Sequence, residues 1–284
     1  MKKASTPMKT HNRALGSHPA YPPRGSVGGV CKVSWRVPHP SYAPKPFTHP
    51  SVLDAAWADK NFDSMTVKER VQLRDRPSKA GRKASTLARM GFVHKSGVPR
   101  NPVGRTGMCG RGLLGRYGAN FAADPIVTRR KPTDPSVLQM VTITRRDTGE
   151  LAIPGGMVEY GENVSQTLRK EFYEEALRFK EGNHEMTLEL QAKIDAVFDK
   201  GGALVYTGYV DDPRNTDDAW MESEVRHFHL DDDLAAQIPL EAGDDAAHVA
   251  WEDVTPEMRL YASHKDWVDV VRHRSRSRAL ASSR

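Results

Sequence analysis

Apolar and polar positions alternate along this chain in two distinct rhythms. Val164, Leu168, Phe172 and Ala176 recur every fourth residue and make one apolar stripe, which predicts a helix over roughly 163–177. Asn163 with Gln166 three residues on fits a capping box at its start. Further helices are predicted near 66–75, over 186–200 and from about His264. Short β-branched runs predict strands at Val137–Thr144, Leu151–Ile153, Ala203–Val210, Met221–Leu230 and Val249–Trp251. These elements mix without a strict βαβ alternation, so the expected class is α/β with a mixed sheet rather than a dinucleotide-binding fold.

The first half reads differently. Residues 1–30 are rich in Pro, Gly and Ser and read as a flexible leader. Residues 31–59 are punctuated by proline but carry Trp35, Tyr42, Phe47 and Trp57, which suits an extended segment lying on a core. Residues 101–120 are dense in glycine. Within them Gly110, Gly112 and Gly115 spell G-x-G-x-x-G, but no apolar strand precedes the motif and no βαβ unit follows.

Charge sharpens the picture. The net charge of +6 over 284 residues is carried by the ends. Met1–Leu53 holds eight Lys/Arg and Arg272–Arg284 five, with no acid in either, which leaves the middle at −7. No aromatic residue interleaves with the C-terminal arginines, so nucleic acid is not an expected partner. No apolar run reaches the roughly 18–20 residues of a membrane span. Two cysteines, Cys31 and Cys109, make neither a disulfide framework nor a zinc site, as in a reducing compartment. The expected location is intracellular: cytoplasmic, or mitochondrial if the acid-free N-terminus is a transit segment, against which its prolines stand.

The chemistry concentrates at Gly155-Gly156 and the helix beyond. Glu171, Glu174 and Glu175 lie at i, i+3 and i+4, where like charges cost a helix a few tenths of a kcal/mol each. A divalent cation reverses the sign of that repulsion, and Mg²⁺, or Mn²⁺ in its place, takes such hard oxygen ligands. An acidic triplet alone is usually a solvated face. The full spacing from Gly156 through Glu162 and Lys170 to Glu175, G-x₅-E-x₇-[RK]-E-φ-x-E-E, matches by chance with a probability on the order of 10⁻⁵.

That spacing resembles the box of the Nudix superfamily. Two positions depart from it: Lys170 stands for the box arginine, and Leu177-Arg178 for the late glycine and apolar residue. Further runs, among them 101–107, 123–126, Asp211–Asp217, 241–246 and 260–264, resemble the eukaryotic ADP-ribose pyrophosphatase branch. The resemblance implies a Nudix α/β/α sandwich over 125–274, an N-terminal cap domain over 31–124 and a basic tail over 275–284. It implies Mg²⁺-dependent hydrolysis of ADP-ribose to AMP and ribose 5-phosphate. The metal would rest on Glu171, Glu174, Glu175 and the Gly155 carbonyl, with Glu162 supporting the helix. The base stays open among Glu174, Asp244 and Asp245. Asn120, Asp212, Arg214, Tyr261 and His264 would contact the substrate. Lysine in place of the box arginine keeps the charge but loses the two-pronged fork on Glu162. Two alternatives stay open: an ADP-ribose-sensing module belonging to a cation-channel polypeptide, and an enzyme for another nucleoside diphosphate derivative.

Overall fold

The computed structural model describes residues 11–75, 97–158, 164–177, 187–242 and 246–282. Two compact units emerge: Met1–Asn120 with Tyr209–Glu222, and Phe121–Gly208 with Ser223–Arg284.

The first unit has little regular structure. It contains β1 (Lys45–Thr48), a single turn α1 (Pro50–Leu53), α2 (Val67–Asp75) and β2 (Met108–Gly112). β1 and β2 pair in parallel from Lys45↔Met108 to Thr48↔Gly112. Small apolar clusters form its core, Phe62, Met65, Leu73 and Tyr117 in one, Val103, Tyr209 and Trp220 in another. With so little sheet, buried side chains close the backbone hydrogen bonds, as buried polar groups require. Arg105 donates to the carbonyls of Lys32, Ser34 and Val37. Asp217 accepts from the Thr106 N–H at 2.7 Å and from the Tyr42 hydroxyl at 2.6 Å.

Two boundaries read from the sequence differ here. The segment 209–222 belongs with the N-terminal unit, because its buried acids find their donors there. Asp211 receives the N–H groups of Asn12, Arg13 and Ala14, each at 2.9 Å. Residues 11–24 are therefore a packed part of that unit and not a leader: His11 and Ala14 are buried, and Tyr21 donates to the Arg214 carbonyl. Composition alone could not reveal this, since the anchoring carboxylate lies about two hundred residues away.

The second unit is built on a seven-stranded sheet. Its strands are β3 (Gly118–Lys131), β4 (Asp134–Arg145), β5 (Leu151–Ala152), β6 (Gly156–Met157), β7 (Ala203–Val210), β8 (Ala219–His229) and β9 (Ala246–Asp253). The path runs β5-β4-β3-β8-β7, with β6 on β3 and β9 on β4. The β4–β9 ladder is antiparallel from Gln139↔Asp253 to Arg145↔Ala246. The helices are α3 (Val164–Glu171), α4 (Leu188–Asp199), α5 (Asp232–Gln237) and α6 (His264–Ser282). The apolar stripe of α3 works as its spacing requires, for Val164, Leu168 and Phe172 are buried. Phe172 meets Phe198 of α4, which stacks on Phe228 of β8 with ring centroids 4.3 Å apart. α6 runs on to Ser282, so the stretch read as a basic tail is helical that far. The long strand β3 has no counterpart in the sequence reading.

Candidate active site around Gly155 and Glu171

β3 sets the floor of the site. Gly156 and Met157 pair with Ala123 and Ala122, and the Val158 N–H donates to the Phe121 carbonyl at 2.9 Å. This ladder pins the Gly155-Gly156 backbone beside Asp124, whose carboxylate accepts the Ser223 hydroxyl. The two glycines are needed for closeness. A methyl on Gly155 would overlap the Asp124 carboxylate, and one on Gly156 would overlap that of Glu171.

The acidic helix does not continue as a regular α-helix. α3 ends at Glu171 and Phe172–Ala176 form a π-helical turn. Such turns are rare and frequent at functional sites. Its wider turn, closed by i→i+5 hydrogen bonds, keeps positions i and i+4 near one face and swings i+3 outward. Accordingly Glu171 is buried, Glu175 half-buried and Glu174 exposed. Glu175 Oε2 accepts the Gly155 N–H at 2.8 Å. Burial, reinforced by the charges of Glu175 and Glu174, pushes the Glu171 carboxyl up to about 9, while Lys170 opposes the shift.

Gly155, Glu171 and Glu175 thus come together, and Asp124 joins them as an acid that sequence reasoning missed. The available signal was one charge between apolar residues in Ala122-Ala123-Asp124-Pro125-Ile126. Glu162, Asp244 and Asp245 lie outside the described residues. Among the described residues no three His, Cys, Asp or Glu side chains are already grouped around a point that a metal ion would fill. The donor type nevertheless fits Mg²⁺ or Mn²⁺: hard carboxylate oxygens, with Glu171 buried beside two further acids whose charges a cation would offset.

Tyr261 and His264 flank the strand that leads into the glycines. Tyr261 donates its N–H to the Leu151 carbonyl at 2.7 Å, and His264 Nδ1 accepts the Ile153 N–H at 3.1 Å. Ala262 between them takes a left-handed φ of 45°. The His264 ring stacks on Trp267 with centroids 5.2 Å apart. Two buried polar atoms beside it, Ser263 Oγ and Trp267 Nε1, have no hydrogen-bond partner among the described residues.

The other three residues expected at the substrate belong to the first unit. Asn120 closes a turn with Arg116, accepting its N–H at 3.0 Å and donating to its carbonyl at 2.9 Å. Arg214 grips Asp212 with both prongs, Nε to Oδ1 at 2.8 Å and Nη2 to Oδ2 at 2.9 Å. The Arg214 fork is therefore already oriented by a buried carboxylate.

Residues 30–118 match the family described as NUDT9-like, N-terminal domain, and residues 123–269 match the NUDIX domain. The chain is 41% identical over 276 residues to the mitochondrial ADP-ribose pyrophosphatase of Rattus norvegicus, covering 92% of this chain and 77% of that protein. It is 46% identical over 250 residues to the transient receptor potential cation channel subfamily M member-like 2 of Nematostella vectensis, covering 84% of this chain and 16% of the channel. For the Mus musculus channel subfamily M member 2 the figures are 32% over 205 residues, 63% of this chain and 12% of the channel. The chain spans most of the pyrophosphatase and a small part of either channel. With a NUDIX domain over half its length and 41% identity across most of a pyrophosphatase, the chain belongs to the Nudix hydrolase family, and its N-terminal domain is of the NUDT9-like kind.

Proposed function

We propose that this protein hydrolyses ADP-ribose to AMP and ribose 5-phosphate, with Mg²⁺ or Mn²⁺ bound at Glu171, Glu175 and the Gly155 carbonyl. The observation that carries the reading is the closure of Glu171 and Glu175 on Gly155-Gly156. The name of the Rattus norvegicus relative supplies the substrate and supports a mitochondrial location. Among the described residues no helix is long and apolar enough to cross a membrane.

When bound, the cation neutralises charge on the diphosphate and acidifies the attacking water. The chain's own residues do the rest. The Gly155 N–H fixes the Glu175 carboxylate, and Asp124 adds a carboxylate beside Gly155. Exposed Glu174 would accept a proton from water, a role for which Asp244 and Asp245 are equally candidates. Glu162, outside the described residues, is assigned support of α3 by its place in the Nudix box. Tyr261, His264, Asn120, Asp212 and Arg214 serve ligand binding, the last through the outer N–H groups and planar face that its pairing with Asp212 leaves over, which suit phosphate or a purine face. Incubation with ADP-ribose and Mg²⁺ should yield AMP and ribose 5-phosphate in equal amounts. Binding without AMP formation would make the chain a sensor. Much faster turnover of NADH or a nucleoside triphosphate would sink the substrate assignment.

Two further outcomes follow from the geometry. Glu171 has a folded-state pKa near 9 against an unfolded value near 4.5, so the metal-free fold binds the extra proton between those values. Its contribution is present at low pH and lost as pH rises through 9. The gain in Tm on adding Mg²⁺ should therefore grow between pH 5 and pH 9, and Glu171→Gln should flatten that dependence. A Tm gain independent of pH in the wild type would refute this account.

His264 gives the second. Its Nδ1 holds the Ile153 N–H, so asparagine, whose Oδ1 occupies the Nδ1 position, should keep kcat within about threefold, less than 1 kcal/mol of barrier. Glutamine, which reproduces Nε2 instead, should lose about tenfold or more in kcat. If glutamine is the better substitute, His264 acts through substrate contact alone.

A further inference from the structure

The second unit holds a cavity of about 390 Å³ lined in part by Arg130, Ser136, Thr255, Arg272, Ser275 and Arg276. The fold places it away from the acidic site. It sits where β4 pairs Gln139 with Asp253, whereas Ala152, leading to Gly155, pairs with Ile143, roughly 14 Å further along the strand.

Its charges are unevenly matched. Asp253 is held by Lys131 at 2.7 Å and by the Gln139 amide at 2.8 Å. Arg272 shares Asp269, at 3.3 Å, with Lys265. Arg130 and Arg276 have neither an ion pair nor a hydrogen bond among the described residues, and Glu257 is the one lining carboxylate left to face them. Two guanidinium forks, with the hydroxyls of Thr255 and Ser275 beside them, present donors from three separate elements. Planar forks of this kind suit the tetrahedral oxygens of a phosphate better than a point charge does.

We infer that this cavity is a second anion site, taking a phosphate monoester or inorganic phosphate between Arg130 and Arg276. It needs no metal, unlike the diphosphate site, because its counter-charges are arginines. Its residues come from the β3–β4 hairpin, the end of β9 and the later turns of α6. Occupancy would therefore tie the helix that starts at His264 to the far end of the sheet.

Titration of the metal-free protein with inorganic phosphate, followed by amide NMR, tests this. Saturable shifts at Ser136 and Ser275 are expected, with a Kd of about 1 mM or tighter. Arg130→Gln with Arg276→Gln should weaken binding at least about tenfold, Glu257→Gln should tighten it, and Glu171→Gln should leave it unchanged. A parallel arm uses vesicles of phosphatidylcholine with and without phosphatidic acid, whose headgroup is itself a phosphate monoester. Retention that requires phosphatidic acid and is lost in the double arginine variant would place the anion on a lipid. Saturation by free phosphate alone would make it a soluble ligand. If neither arm registers binding, or if the shifts cluster at Gly155 and vanish in Glu171→Gln, the site does not exist.

Discussion

Glu171→Gln is expected to lower kcat for ADP-ribose by about 10³-fold or more, a loss of about 4 kcal/mol of transition-state stabilisation. The side chain is buried against Gly156, and its partners are the other acids of the site rather than a structural donor. Glutamine keeps its size and removes its charge, so the fold should survive. The metal-free variant should even melt higher at pH 8, because the wild-type carboxyl must take up a proton to be buried there and the amide need not. Glu175→Gln should act similarly but less cleanly, since its amide could turn a donor toward the Gly155 N–H. Glu174→Gln separates two roles. A fall in kcat that excess Mg²⁺ does not restore favours proton transfer, and full activity leaves that task to Asp244 or Asp245. Quantified AMP release at saturating ADP-ribose and Mg²⁺ decides all three. A Glu171→Gln variant within tenfold of wild type would remove the metal from this helix.

The largest effect on stability is expected at Asp211. Its carboxylate collects three consecutive backbone N–H groups, those of Asn12, Arg13 and Ala14, and lies 3.9 Å from the His11 ring. Alanine leaves those donors buried or wetted at a cost of about 3–5 kcal/mol. Asparagine keeps one acceptor oxygen and should lose roughly half of that. Urea unfolding combined with limited proteolysis is the measurement. The Asp211→Ala protein should be cut first between residues 11 and 24, and a change under about 0.5 kcal/mol would show that the segment is held by something else.

The second unit was largely legible in the sequence because its elements obey local periodicity. Ala203–Val210 was read with the boundaries it has, and the α3 stripe buries the residues its spacing selects. β3 escaped because Asp124-Pro125 reads as a turn, and only pairing on both sides makes it a strand. The π turn escaped because no local signal separates it from an α-helix, yet it decides that Glu174 is exposed while Glu171 is not. The first unit was nearly illegible. Its order comes from Asp211, Asp217 and Arg105 holding distant backbone, and polar contacts of that kind have no period. Asn120 shows the same limit at one residue: its amide closes a turn with Arg116, a contact that no spacing announces.

The contacts of Asp211 with Asn12, Arg13 and Ala14 span 197 to 199 residues of sequence. On the ribosome the chain emerges N-terminus first, so residues 11–24 appear long before the carboxylate that orders them. At roughly 5–20 residues per second, about a hundred residues separate Asn120 from Glu222, a delay of roughly 5–20 s. Throughout that interval the N-terminal unit lacks its second segment, together with Tyr209 and Trp220 of its core. In this protein the half made first is the half that must wait to fold.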